Sequence, residues 1–306
     1  MTKEEVKEYI NNYISHIISM VEYGNWFAEK INQLVKEIRE KIEEILDSHE
    51  HCHTKKACKE VLSEIDKELE LLEENIKLMI DEELESLIDS ENEWLESNVE
   101  QPLGLNFKKP SNALSMLKLI PIATAGIVGV YGKSVADRLR SLYEQKVMQS
   151  YVTGTDFEDI DFEARFNTFE RGLQADSETL GSSLSGQYDR IVFTKNDNQI
   201  KGYMWLAILD SHTCIVCGEM DHKIFKKAED IPIFPYHTNC RCRCILITEE
   251  IEKDIPESYE QWFENQSPKE KYQILGKKRF ELYENGLKIK NFVNNGKITP
   301  LKDLKK

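Results

Sequence analysis

The sequence predicts a mainly α protein: a long N-terminal helical hairpin and central helices, then a small α+β zinc-binding module near the C-terminus. Three observations carry this. Apolar residues recur at i, i+3 and i+4 through most of the first hundred residues. Five of the seven cysteines fall between residues 214 and 244. Short alternating segments flank that cluster on both sides.

The first helical stripe runs through Val6, Tyr9, Ile10, Tyr13, Ile14, Ile17, Ile18 and Val21, and continues through Ile31, Leu34, Ile38, Ile42 and Ile45. "DSHEHCHT" interrupts it. A second stripe at strict 3-4 spacing follows, with Leu62, Ile65, Leu69, Leu72, Ile76 and Met79, and its pattern fails at Glu83. Two such helices around a His-rich turn predict an antiparallel hairpin with its tip near His51. The turn carries His49, His51, Cys52, His53 and Cys58; it reads as an exposed polar turn, with adventitious metal binding as the alternative. Acidic outer faces such as "EIDKELELLEEN" read as solvated surface.

"ESNVEQPLGLNFKKPSN" (97–113) reads as a linker, with two prolines and no periodicity. The apolar run at 114–131 is interrupted by Lys118 and Pro121 and is too short for a membrane span, so it is expected to be buried. Within it, "AGIVGVYGKS" is no phosphate loop: counting back from Gly132, the required glycine falls on Ile127. Close backbone packing and a helix from Ser134 are expected instead. Residues 155–190 read as a polar helix, 200–210 as a strand running into the cysteines, and "CRCRCILITEE" as a second strand. The expected organisation is 1–100 as a helical arm, 101–192 as linker and central helical region, and 193–306 as a zinc module with a helical tail.

The formal net charge of -15 opposes general coating of nucleic acid or anionic membranes. The N-terminus has no apolar signal segment, which predicts a reducing cytoplasm, where clustered cysteines favour metal over disulfide. Cys214 and Cys217 stand at C-x2-C, and His237 and Cys240 at H-x2-C. Two short chelating turns suit tetrahedral zinc, and thiolates with one imidazole select it over hard cations. Cys214, Cys217, His237 and Cys240 are therefore the expected ligands, with Cys242 as the substitute for Cys240 and Cys244 as a buried apolar residue. No catalytic residue is expected. His212, Asp221 and His222 lie nearby and leave a metal-assisted nuclease as an alternative.

The stretch from Trp205 through Asp210, Thr213, Cys214, Cys217, Asp221 and Phe225, then Pro235, His237, Cys240, Arg241 and Cys242, resembles the C-terminal domain of Mu F-like phage head morphogenesis proteins. His222 stands where that pattern has glycine, and "ADSE" (175–178) lacks its arginine. The tail, with Leu275, Gly276, Arg279 and Gly286, is similar as well. The resemblance covers about residues 200–295. It implies a structural, non-enzymatic minor head protein of a tailed bacteriophage, acting in head assembly and DNA ejection. The implied partners are the portal protein, the major capsid protein and packaged DNA. The implied location is the virion, at the capsid interior or portal vertex, and the host cytoplasm during assembly. Alternatives are a zinc-containing nuclease or toxin on the same scaffold and a host-directed interaction module.

Overall fold

In the computed structural model of the protein, residues 1–49, 51–122, 126–237, 239–253, 257–294 and 297–304 are described. The first two helices are α1 (Lys3–His49) and α2 (Lys55–Leu95). Thr54 caps α2, its hydroxyl accepting from Ala57 N. They run antiparallel: Asn12 bonds Asn98, His16 bonds Glu91, and His49 meets Glu64. The expected hairpin is thus present. Its apolar stripe does not stop at Glu83, because Ile80, Leu84 and Leu87 carry it on one position over. A straight helix of 3.6 residues per turn drifts off a seven-residue repeat, and here the seam follows the helix.

The hairpin helices do not pack chiefly on each other. The most extensive partner of α1 is the long helix α6 (Glu163–Asn196), and that of α2 is α5 (Tyr131–Thr153). Between them the chain forms α3 (Gln101–Leu103), α4 (Ala113–Leu117) and a two-stranded turn of β1 (Pro121–Ile122) and β2 (Gly126–Ile127). The expected linker at 97–113 therefore begins as helix, continuing α2 through a wide turn to a left-handed stop at Gly104. The apolar run is only partly buried: Leu117, Ile120 and Val128 are inside, while Leu119 and Val130 face out. Among the described residues, no helix is long and apolar enough to cross a membrane. Residues 123–125 of the apolar run, including the first residue of the loop that resembled a phosphate site, lie outside the described residues. Gly132 has the packing role expected of it, since a Cβ there would stand 2.6 Å from Glu73 O on α2.

The polar helix α6 is the centre of the molecule. Small side chains, Gly181, Ser183, Ser185 and Gly186, line its buried face. At its crossing with α1 the backbones touch: a Cβ on Gly181 would lie 2.5 Å from Gly24 Cα, and one on Gly24 would lie 2.5 Å from Glu178 O. The buried polar groups beside it are bonded. Asp176 pairs with Arg138 at 3.0 Å, and Ser177 Oγ meets Tyr131 OH at 2.9 Å.

After α6 come β3 (Tyr203–Leu206), α7 (Ile215–Met220), β4 (Ile224–Phe225) and β5 (Arg243–Leu246). The sheet is antiparallel in the order β4-β3-β5, with Trp205 opposite Cys244 and Leu206 opposite Arg243. It packs onto the bundle, so one core runs from Val6 to Ile251 across the expected boundaries at 100/101 and 192/193. In the tail, α8 (Glu249–Lys253) closes the main core through Ile251, and α9 (Tyr259–Glu264), α10 (Pro268–Glu284) and β6 (Val293–Asn294), which pairs with β7 (Lys297–Ile298), supply a second small core with Ile215.

The α1–α6 crossing depends on two glycines. Gly181→Val should cost about 2–4 kcal/mol, because the backbones must separate to admit the side chain. Chemical denaturation measures this; a change below about 0.5 kcal/mol would show that the helices cross elsewhere.

Candidate metal centre

The strand β3 ends in a turn held by Asp210. Its carboxylate accepts from His212 N at 2.9 Å and from both Arg241 Nη atoms, at 2.7 and 2.6 Å. Burial opposes ionisation of Asp210, but Arg241 outweighs it and keeps the carboxyl below its ordinary range. This fork ties the segment before Cys214 to the segment holding Cys240 and Cys242. Thr213 Oγ1 donates to Ile208 O, closing the turn. The Cys214 sulfur then caps α7, accepting from Cys217 N at 3.4 Å, which brings the two sulfurs of C-x2-C to one side.

From the other side, His237 and Cys240 belong to one turn, with Cys240 N donating to His237 O at 3.1 Å. Asn239 adopts φ 60° in that turn, and its N–H donates to Thr179 Oγ1 on α6. His237 Nε2 stands 3.2 Å from Cys214 Sγ and 2.9 Å from Cys217 Sγ. Two triads of donors result, Cys214 with Cys217 and His237, and Cys217 with Cys240 and Cys242. In each, the ligand atoms lie within 4.8 Å of one another, and Cys217 belongs to both. Of the four expected ligands, Cys214, Cys217 and His237 converge in one triad, while Cys240 lies in the other with Cys217 and the expected substitute Cys242. Cys244 is fully buried opposite Trp205 and takes no part.

The electrostatics of this cluster favour a cation. Hydrogen bonding by Cys217, reinforced by His237, pulls the Cys214 thiol down to about 4, while the surrounding sulfurs of Cys214, Cys240 and Cys242 push Cys217 up. Crowded thiols cannot all ionise beside one another without a positive charge among them. A zinc ion with bonds of about 2.0–2.3 Å would hold its donors roughly 3.3–3.8 Å apart, so His237 would draw back slightly from the two sulfurs it now approaches at 3.2 and 2.9 Å. The donor set, thiols with one imidazole, fits a soft divalent metal ion.

The neighbouring polar residues have other duties. The His212 side chain is 81% exposed. Asp221 is buried, accepting from Ala207 N and Tyr259 N at 2.9 Å each, so it fastens α9 over the knuckle. Tyr259 also donates to Thr213 O, and it lies so close that a Cβ on Gly218 would meet its ring at 2.1 Å. His222 itself adopts φ 61°, the conformation glycine holds most easily, and its N–H bonds Trp205 O. At the hairpin tip the exposed turn is only partly as expected. Cys52 and Cys58 are buried, and His51 stands between Asp156 and His53 at 2.9 Å from each. Among the described residues, no three donors converge there.

Sequence reasoning missed the group that joins the centre to the bundle. Arg243, 2% exposed, donates to Asp189 on α6 at 3.1 Å and lies 4.0 Å from Glu91 on α2. Glu91 in turn holds His16 on α1 at 3.0 Å, and His16 stacks on Trp94 at 4.0 Å. Burial pushes Asp189 up to about 8 against the pull of Arg243. Burial also opposes ionisation of Glu91, but His16 and Arg243 outweigh it and hold Glu91 below its ordinary range. The one signal was Arg243's place between two cysteines on a strand with no polar face.

Residues 1–177, more than half of the 306-residue chain, match the family model of the Sey1 three-helix bundle domain. No curated protein and no solved structure matches the chain. The bundle match overturns the phage reading. The family is not that of phage head morphogenesis proteins, and the minor head protein role, the virion location and the portal, capsid and packaged-DNA partners fall with it. The resemblance rested on a chelating pattern over about residues 200–295. Such a pattern answers to the coordination chemistry of zinc and can sit on unrelated scaffolds.

Removing the Arg243 guanidinium leaves Glu91 and Asp189 buried without their cation. Arg243→Ala should destabilise the fold by about 3–5 kcal/mol, the usual effect of breaking a buried pair from one side. Urea denaturation of the variant tests this, and a loss under about 1 kcal/mol would mean that the network carries little.

Proposed function

Because the chain belongs to the family of the Sey1 three-helix bundle domain, we propose that it works as a rigid, non-catalytic helical arm, capped by a zinc knuckle. The continuous core carries this reading. At about 1.5 Å per residue, the 47 residues of α1 span roughly 70 Å, and α1, α2, α5 and α6 pack along one another around it. The family points to the setting of dynamin-like GTPases of membrane fusion. In that setting the arm is a lever or docking element, and the partner we assign to it is a protein of such an assembly.

The zinc in this reading is held by Cys214, Cys217, His237 and Cys240. With four protein ligands the ion has no open position, so its chemistry is structural. It supplies positive charge to crowded thiolates and pins α7 and the 237–240 turn onto α6. Asp210, Arg241 and Tyr259 orient the two chelating turns. An enzymatic reading gains nothing from the site, where Asp221 is committed to backbone donors and His212 points to solvent.

Protein purified without a histidine tag should contain about one zinc per chain. A strong chelator should lower the melting temperature, and Cys214→Ser should lose the metal. Absence of zinc together with a disulfide among these cysteines sinks the metal assignment. Hydrolysis of GTP by the chain alone sinks the non-catalytic one.

A further inference from the structure

The knuckle contains one thiol more than a tetrahedral ion accepts. Cys240 shares a turn with His237 and is the fourth ligand in the zinc reading above. Cys242 lies two residues on, buried, with its sulfur within 4.8 Å of both Cys217 and Cys240. The Trp205 side chain is fully buried, and its indole N–H has no hydrogen-bond partner. The indole lies beside the Cys242 sulfur.

We propose that Cys242 is a resolving thiol. When the Cys217 thiolate is oxidised by a peroxide, Cys242 closes a disulfide on it and the metal leaves, in a form that a dithiol reverses. The proposal rests on the zinc reading above. In the first step the Cys217 sulfur attacks one peroxide oxygen; the O–O bond breaks, giving a sulfenic acid and hydroxide. In the second, the Cys242 sulfur attacks the sulfenic sulfur, the S–O bond breaks, and hydroxide departs as water with the thiol proton. The thiolate and the thiol lose two electrons in all, hydrogen peroxide is reduced to one hydroxide and one water, and zinc is left with three ligands. The sulfurs lie within reach, needing to close from at most 4.8 Å to the roughly 2.05 Å of a disulfide. Cys217 is the natural partner because it alone belongs to both donor triads. Without a resolving thiol, a sulfenic acid proceeds to the sulfinic and sulfonic acids, which a dithiol does not restore.

The test uses the zinc-loaded full chain treated with hydrogen peroxide, then with dithiothreitol and zinc. Zinc release is followed with a chromogenic chelator, and cysteine states are mapped by mass spectrometry. The native chain should release zinc, show a Cys217–Cys242 disulfide, and regain its metal on reduction. Cys242→Ala should accumulate sulfinic acid at Cys217 and regain about tenfold less zinc. Cys242→Ser, which keeps the volume and a polar group, should behave the same way if the alanine variant folds poorly. A disulfide that excludes Cys242, or variants that recover as fully as the native chain, overturns the proposal. Protein that binds no zinc before oxidation overturns the zinc reading instead, and the disulfide map of that protein still tests the thiol pair.

Discussion

A guanidinium cannot lose its proton inside a protein, so a buried arginine forces its surroundings to supply negative charge. Arg243 imposes that demand at the meeting point of three elements. Glu91 answers from α2, steadied by His16 of α1, and Asp189 of α6 accepts a hydrogen bond from the guanidinium. The small sheet and the bundle are therefore joined by charge as well as by apolar contact. Any rearrangement that drew β5 away would strand two carboxylates in the core. The neighbouring Arg241 works in the opposite direction along the chain, gripping Asp210 and drawing the two halves of the knuckle together.

The metal centre and the bundle are thus parts of one packing problem. The knuckle leans on α6 through Asn239 and Thr179, on α9 through Tyr259, and on β3 through the turn at Asp210. A zinc ion held in such a place would stabilise a junction rather than an isolated finger. It would add its binding free energy to a segment that already has Trp205 stacked on Phe234 at 5.0 Å as an apolar floor. The same crowding of sulfurs that favours a cation also leaves Cys242 within reach of the ligand thiolates.

The family match and the chemistry of the C-terminal half answer different questions. Apolar periodicity in the first hundred residues described a helical arm and stopped there; the match over residues 1–177 says which bundle it is. The cysteine spacing described a chelating site, and a site of that kind does not identify the scaffold that bears it. Reading the whole chain's role from the site led to a phage head protein, and the bundle corrects it.

Local physics was legible in the sequence. The hairpin, its tip, the strands around Trp205 and Cys244, and the approach of His237 to Cys214 and Cys217 all follow from 3.6- and 2-residue periods and from short chelate loops. Each depends on residues close together in the chain. Three things depended on the tertiary structure. Helix α6 reads as polar because close helix crossings need Gly and Ser rather than large apolar groups, and its centrality shows only when Gly24 and Gly181 meet. The hairpin helices pack chiefly on α5 and α6, since an amphipathic stripe specifies that a face is buried and not what buries it. Arg243 reads as a strand arginine among cysteines; its partners at 91 and 189 are far apart in sequence, and only the folded chain puts the three charges together.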